Sequence, residues 1–220
     1  MIETLFENNL NWAAARARAD ADWLQRREGL TSPDYLWIGC SDSRVPAHEI
    51  VGLEPDELLV HRNVANLAPN GDLNLMATLH FALEIVKVRH IIVCGHTGCG
   101  GVRAALDGGR HGILDHWLRS VRRLGEDAAS TLRAMRDVET QADFLAELNV
   151  VDQVRALADN PLVLDAWRRR QPLALHGWIH FSRDGLLRNL ETTVESRADA
   201  KRLFFSSPPA PPRRGGGRRS

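Results

Sequence analysis

The chain has 220 residues, 44% of them hydrophobic, enough for one domain with a sizeable core. Its 28 Lys and Arg balance its 28 Asp and Glu, so no global field draws it to nucleic acid or to acidic lipid as a partner. No apolar run is long enough to span a bilayer, residues 1–30 lack a secretory pattern, and three cysteines are too few for a disulfide framework, so a reducing, cytoplasmic setting is expected.

Residues 1–27 are expected to be helical. Leu5, Phe6, Leu10, Trp12 and Ala13, then Trp23 and Leu24, form an apolar stripe among charges. One reading packs this helix on its own core. Thr31-Ser32-Pro33 breaks it before a strand over 35–39. That strand runs through Leu36, Trp37 and Ile38 into Gly39 and then a thiol, Cys40, with Asp42 and Arg44 close behind. Residues 46–52 read as a short helix, 58–61 as a strand and 63–71 as a loop. Asp72 caps a stronger helix running through Val88, with Leu75, Leu79, Ala82, Leu83 and Val86 at helical spacing.

Ile91-Ile92-Val93-Cys94 then runs into Gly95-His96-Thr97-Gly98-Cys99-Gly100-Gly101, and a helical pattern begins at Val102. This reads as strand, ligand-bearing turn, helix. Asp107-Gly108-Gly109-Arg110 is a turn. Helices are expected over 113–124, 141–159 and 162–170, with Asn160-Pro161 punctuating the last two. A late strand covers 173–181, and Asp184-Gly185 turns the chain before Leu186-Leu187. The alternation implies an α/β fold: a mainly parallel sheet of four to five strands flanked by helices, with an N-terminal helical arm and C-terminal helices. One domain is expected over 1–205. Residues 206–220, rich in Pro, Gly and Arg, cannot bury a core and are expected to form a disordered tail.

Cys40, His96 and Cys99 make a Cys2His set, a known catalytic zinc pattern with an open fourth position. Ligands at the carboxyl ends of parallel strands sit where open α/β sheets place their sites. Two thiolates cancel the charge of the ion, so its bound water should be less acidic than in a three-histidine site. Asp42, held by the Arg44 guanidinium, would stay ionised and accept a hydrogen bond from a zinc-bound hydroxide. Swung onto the metal, Asp42 would be a fourth ligand and close the site, as in a structural zinc module without activity. An anion loop built on Gly98, Gly100 and Gly101 lacks the lysine it would need. Cys94, inside a strand, is expected to pack in the core. His80, His90, His111 and His116 are expected on helices or at their ends, facing solvent or capping.

Cys40-Ser41-Asp42-Ser43-Arg44 and His96-Thr97-Gly98-Cys99-Gly100-Gly101 resemble the two signature motifs of the β-class carbonic anhydrases. The resemblance extends through Val45-Pro46, Leu53-Glu54-Pro55, His61-Arg62-Asn63-Val64-Ala65-Asn66 and His176-Gly177-Trp178. It implies one Zn2+ per subunit and reversible hydration of carbon dioxide to bicarbonate and a proton. It implies a homodimer or homotetramer, with the N-terminal helix lying across a neighbouring subunit. Phe81 and Gly100 would line the carbon dioxide pocket, although Phe81 also fits an ordinary helix core. The chain further resembles the bicarbonate-regulated (type II) bacterial subgroup at Trp37, Gly39 and Arg62. It departs at His180, where that subgroup carries a tyrosine. Arg62 offers a fork suited to a planar oxyanion, and His180 becomes a cation below an ordinary pKa of about 6.5. Bicarbonate in that pocket, favouring Asp42 on zinc and lowering activity, is therefore expected to bind better at low pH.

Overall fold

The computed structural model describes residues 2–25 and 32–205. Residues 26–27 of the expected first helix, Thr31 of the expected break, and the tail 206–220 lie outside the described residues. The chain runs α1 (Glu3–Ala19), β1 (Tyr35–Cys40), α2 (Ala47–Ile50), β2 (Leu58–Asn63), α3 (Leu73–His80), β3 (His90–His96), α4 (Gly100–Leu106) and α5 (Leu114–Trp117). It continues through α6 (Arg119–Asp127), α7 (Ala129–Arg133), α8 (Val138–Ala158), α9 (Pro161–Arg168), β4 (Ala174–His180), β5 (Leu187–Asn189) and α10 (Arg197–Ala200).

The strands form one sheet in the order β2-β1-β3-β4-β5. β1 pairs parallel with β2 and β3, and β3 parallel with β4, while β5 folds back antiparallel on β4 as the Asp184-Gly185 turn implies. The central strands are apolar because both faces are covered. Leu36, Ile38, Ile91 and Val93 point into the main core with side chains of α3, α4 and α8. The alternate residues Trp37, Ile92 and Cys94 form a smaller cluster with Ala47 and Leu58. Cys94 thus packs in the core as expected, and burial pushes its thiol up to about 12. The chain leaves β1 for β2 on one side and returns to β3 on the other. That reversal opens a crevice beyond the carboxyl ends of β1 and β3, where Cys40 and His96 stand.

Several elements differ from the sequence expectation. α1 buries none of its residues, and Leu5, Phe6 and Leu10 are exposed, so it does not pack on its own core. It ends at Ala19, where Asp20 turns extended, and Trp23 folds back edge-on against Trp12 at 5.7 Å between ring centroids. Asp72 caps α3 by accepting the Asn74 amide. The α-helix stops at His80, however, and Phe81–Val86 continues as wider π turns ended by Lys87 in the left-handed region. The expected helix over 113–124 breaks at Leu118 into α5 and α6. α8 begins three residues earlier than expected because Asp137 caps it, accepting the Thr140 amide. The expected loop after β2 contains a 3₁₀ turn, Val64–Asn66. His90 is not on a helix: it begins β3 and hydrogen-bonds His176 at 3.1 Å.

Candidate metal centre

β1 delivers Cys40, β3 delivers His96, and Cys99 stands immediately before α4. All three are buried, and their donor atoms lie within 4.8 Å of one another. The two sulfurs are 3.6 Å apart; sulfurs sharing one tetrahedral zinc, each about 2.3 Å from it, would sit about 3.8 Å apart. His96 Nδ1 donates to the Thr97 carbonyl at 3.0 Å, which fixes the tautomer and leaves a lone pair on Nε2. That Nε2 is buried without a hydrogen-bond partner, a costly state for a polar atom that a metal ion relieves.

The electrostatics agree with this fit. The Cys99 thiol beside Cys40 holds the Cys40 pKa well below its usual range, against burial, with help from His96 and the amides of Asp42 and Ala65. The same contact, with burial, pushes Cys99 up. Two thiolates so close are ionised together only with a cation between them. Burial disfavours charge on His96, but Cys40, the Thr97 carbonyl and Asp42 outweigh it and raise its pKa. Between the ligands, Gly98 takes φ +69° and donates its amide to Asp143 Oδ1 of α8 at 2.8 Å.

Asp42 stands beside the trio without joining its donor cluster. Arg44 Nη1 donates to Asp42 Oδ1 at 2.8 Å, and Gly100 donates its amide to Oδ2 at 2.8 Å. Both carboxylate oxygens are therefore already engaged. A cleft of about 300 Å³ opens over the site, with Asp42, Arg44, His96 and His180 in its wall.

Residues 35–187 match the family model described as carbonic anhydrase. A carbonic anhydrase of Emericella nidulans is 41% identical over 188 residues, covering 86% of this chain and 82% of its own length. A Coccomyxa β-carbonic anhydrase, solved in complex with acetazolamide, superposes with a TM-score of 0.86 at 35% identity, covering 94% of this chain and 93% of its own. One of two tetrameric β-carbonic anhydrases of Sordaria macrospora gives a TM-score of 0.84 at 34% identity, covering 88% of this chain and 98% of its own. The chain belongs to the β-class carbonic anhydrase family. It is thus an enzyme of the carbonic anhydrase type.

In this carbonic anhydrase, Trp37, Arg62 and His180 do converge on one cavity, but its volume is only about 10 Å³, room for a single water. The Arg62 fork is occupied by backbone, donating to the Cys40 carbonyl at 2.8 Å and the Val45 carbonyl at 2.9 Å. Burial, with the nearby charge of His96 and against Asp184, lowers the His180 pKa. The cation expected at its ordinary pKa therefore forms only at lower pH. Phe81 opens the π turns 37% exposed, which sets aside the helix-core alternative. His80 and His116 are exposed, and His111 pairs with Asp107 at 2.9 Å.

Sequence reasoning passed over Asp143, Asn149 and Gln153 of α8. Asn149 and Gln153 are buried polar residues one helical turn apart on the stripe that carries Ala142, Leu145, Ala146, Val150 and Val154. Two amides on an otherwise apolar stripe are the signal that could have found them.

Proposed function

We propose that this carbonic anhydrase holds one Zn2+ per subunit on Cys40, His96 and Cys99 and hydrates carbon dioxide reversibly to bicarbonate and a proton, with Asp42 and Arg44 as the catalytic dyad. The carrying observation is the buried Cys2His trio with an unpartnered His96 Nε2 and an Asp42 fastened outside it. When bound, zinc supplies Lewis acidity that brings the pKa of water from 15.7 toward about 7. The chain supplies the rest. Arg44 and the Gly100 amide hold the Asp42 carboxylate in place and aim it. An ionised carboxylate has no proton to give, so Asp42 accepts a hydrogen bond from a proton-bearing nucleophile and orients its lone pair. His96 keeps its proton on Nδ1 at the Thr97 carbonyl and offers Nε2 alone. Phe81 and Gly100 flank the carbon dioxide pocket in this reading.

The unburied apolar face of α1 supports an oligomer in which the arm lies on a neighbouring subunit, a dimer or a tetramer like the Sordaria macrospora enzymes. Three free thiols suit a reducing cytoplasm. Bicarbonate regulation through Trp37, Arg62 and His180 requires the Arg62 fork to leave the Cys40 and Val45 carbonyls and the cavity to widen. An anion that captured the fork would untether the 40–45 loop carrying Asp42 and Arg44. If Arg62→Ala is inhibited by bicarbonate as strongly as wild type, that pocket is not regulatory.

The deciding experiment is stopped-flow carbon dioxide hydration on protein of known zinc content. Activity should scale with zinc. Stoichiometric zinc without hydration would leave a structural zinc module instead.

A further inference from the structure

After β2 the chain places two consecutive non-glycine residues, Ala65 (φ 66°) and Asn66 (φ 49°), in the left-handed region, which an L side chain disfavours. This turn brings the Ala65 amide to Cys40 Sγ at 3.2 Å. Cys40 Sγ also accepts the Asp42 amide at 3.3 Å, but that contact is local to its own loop. The Ala65 contact is long-range, and other elements hold the turn that makes it.

The holding runs through α8. Asn149, fully buried, donates Nδ2 to the Ala65 carbonyl at 2.8 Å. Its Oδ1 accepts Gln153 Nε2 at 3.0 Å, and Gln153 Oε1 accepts the Ala68 amide at 2.8 Å. The direction of each side-chain amide is forced. The Ala68 N–H only donates, so Gln153 must turn its oxygen there and its nitrogen toward Asn149. Asn149 must then present its oxygen to Gln153 and its nitrogen to Ala65. Trp117 Nε1 steadies the same turn at the Val64 carbonyl, 2.8 Å away.

We propose that Asn149, oriented by Gln153, is a positioning residue for the metal centre. It holds the Ala65 peptide so that its N–H donates to the Cys40 sulfur and sets how that sulfur serves a metal. This rests on the zinc reading of the trio. A hydrogen bond to a metal-ligating thiolate draws charge from the sulfur and fixes its lone-pair direction, and such outer contacts govern metal affinity. The alternative is that the two amides merely satisfy buried carbonyls and fasten α8 to the turn.

The test compares full-length wild type, Asn149→Ala and Gln153→Met. Zinc affinity is read by competition with a chromophoric chelator, and the sulfur-to-metal charge-transfer band is read in cobalt(II)-substituted protein. Asn149→Ala should lower zinc affinity by about 10–100-fold and move the band to longer wavelength, because the sulfur loses a donor. Gln153→Met, which frees the Asn149 amide to turn, should move both readouts the same way by less. Variants that match wild type in affinity and band, whatever their melting temperature, overturn the proposal. If Asn149→Ala does not fold, Gln153→Met decides by the same readouts; failure of both to fold overturns positioning in favour of a purely structural role. A wild type that takes up no zinc removes the zinc reading and this proposal with it. Tight wild-type binding beside unchanged variants removes this proposal alone.

Discussion

Gly100 donates its backbone amide to Asp42 Oδ2 at 2.8 Å, so the first residue of α4 fastens the loop that follows β1. A Cβ on Gly100 would lie 3.1 Å from that same oxygen, closer than ordinary packing allows. Gly100→Ala should therefore shift the carboxylate by a few tenths of an ångström and leave the trio untouched. Misplacement by 1 Å can cost about 10²-fold in rate, so a loss of about tenfold is expected here with zinc retained. Metal analysis beside stopped-flow hydration checks this, and an unchanged rate would mean that the Asp42 position does not matter.

The Asp42–Arg44 pair is expected to separate activity from stability. Arg44 is 81% exposed, and an exposed ion pair contributes about 0–1 kcal/mol. Arg44→Ala and Asp42→Asn should thus melt close to wild type and keep zinc. Both should lose most hydration activity, because orienting and proton-handling groups contribute about 10²–10⁴-fold. Near-normal rates in both variants would remove the dyad from the mechanism.

The Cys40, His96 and Cys99 trio was legible because apolar strands run into glycine and then into a thiol or an imidazole, and a strand end is where a sheet can present such a group. The support of the trio was not. Asn149 and Gln153 share a helical face by spacing, yet their targets Ala65 and Ala68 lie more than eighty residues away in sequence. Nothing marks Ala65 as left-handed, since alanine has no preference for that region. The apolar spacing of 75–86 suits α and π turns equally, so the change at Phe81 was invisible. The stripe on α1 has the same pattern whether its cover is its own core or another subunit. Trp37, Arg62 and His180 could be grouped, but the size of their cavity depends on Arg62 binding two backbone carbonyls, which no residue type announces.

Removing one ligand should remove the metal. Cys40→Ser, His96→Ala and Cys99→Ser each leave two protein donors where the structure brings three together. Zinc content and hydration should fall together in every variant. Full zinc occupancy in any one of them would take that residue out of the ligand set.

α1 makes a prediction about assembly. Phe6 and Leu10 are 71% and 69% exposed on a helix that buries nothing, and contiguous exposed apolar surface marks an interaction face. Replacing both by glutamate should shift the sedimenting species to smaller mass without unfolding the α/β core, because among the described residues neither core cluster includes a residue of α1. An unchanged sedimentation coefficient would show that the arm does not hold subunits together.

Buried His61 and half-buried His176, away from the Cys40, His96 and Cys99 trio, contribute to the response to acid. Burial lowers the pKa of His61, with Asp72 opposing, and burial plus the neighbouring His90 lowers that of His176. Their folded values thus lie below the ordinary value of about 6.5. Between the two values the unfolded chain binds more protons than the folded one, so stability rises with pH there. It is fully present above the unfolded value and is lost as pH falls toward the folded one. His176 bridges His90 at 3.1 Å and the Thr193 hydroxyl at 3.0 Å, so a glutamine there retains a polar group that does not titrate. His176→Gln should melt with a shallower pH dependence than wild type between pH values of about 7 and 5, a window that spans the ordinary histidine value of about 6.5. Any acid-linked change at the Cys40, His96 and Cys99 trio is common to both proteins, so the difference between the two slopes isolates His176. Identical slopes would show that this histidine takes up its proton as readily in the fold as outside it.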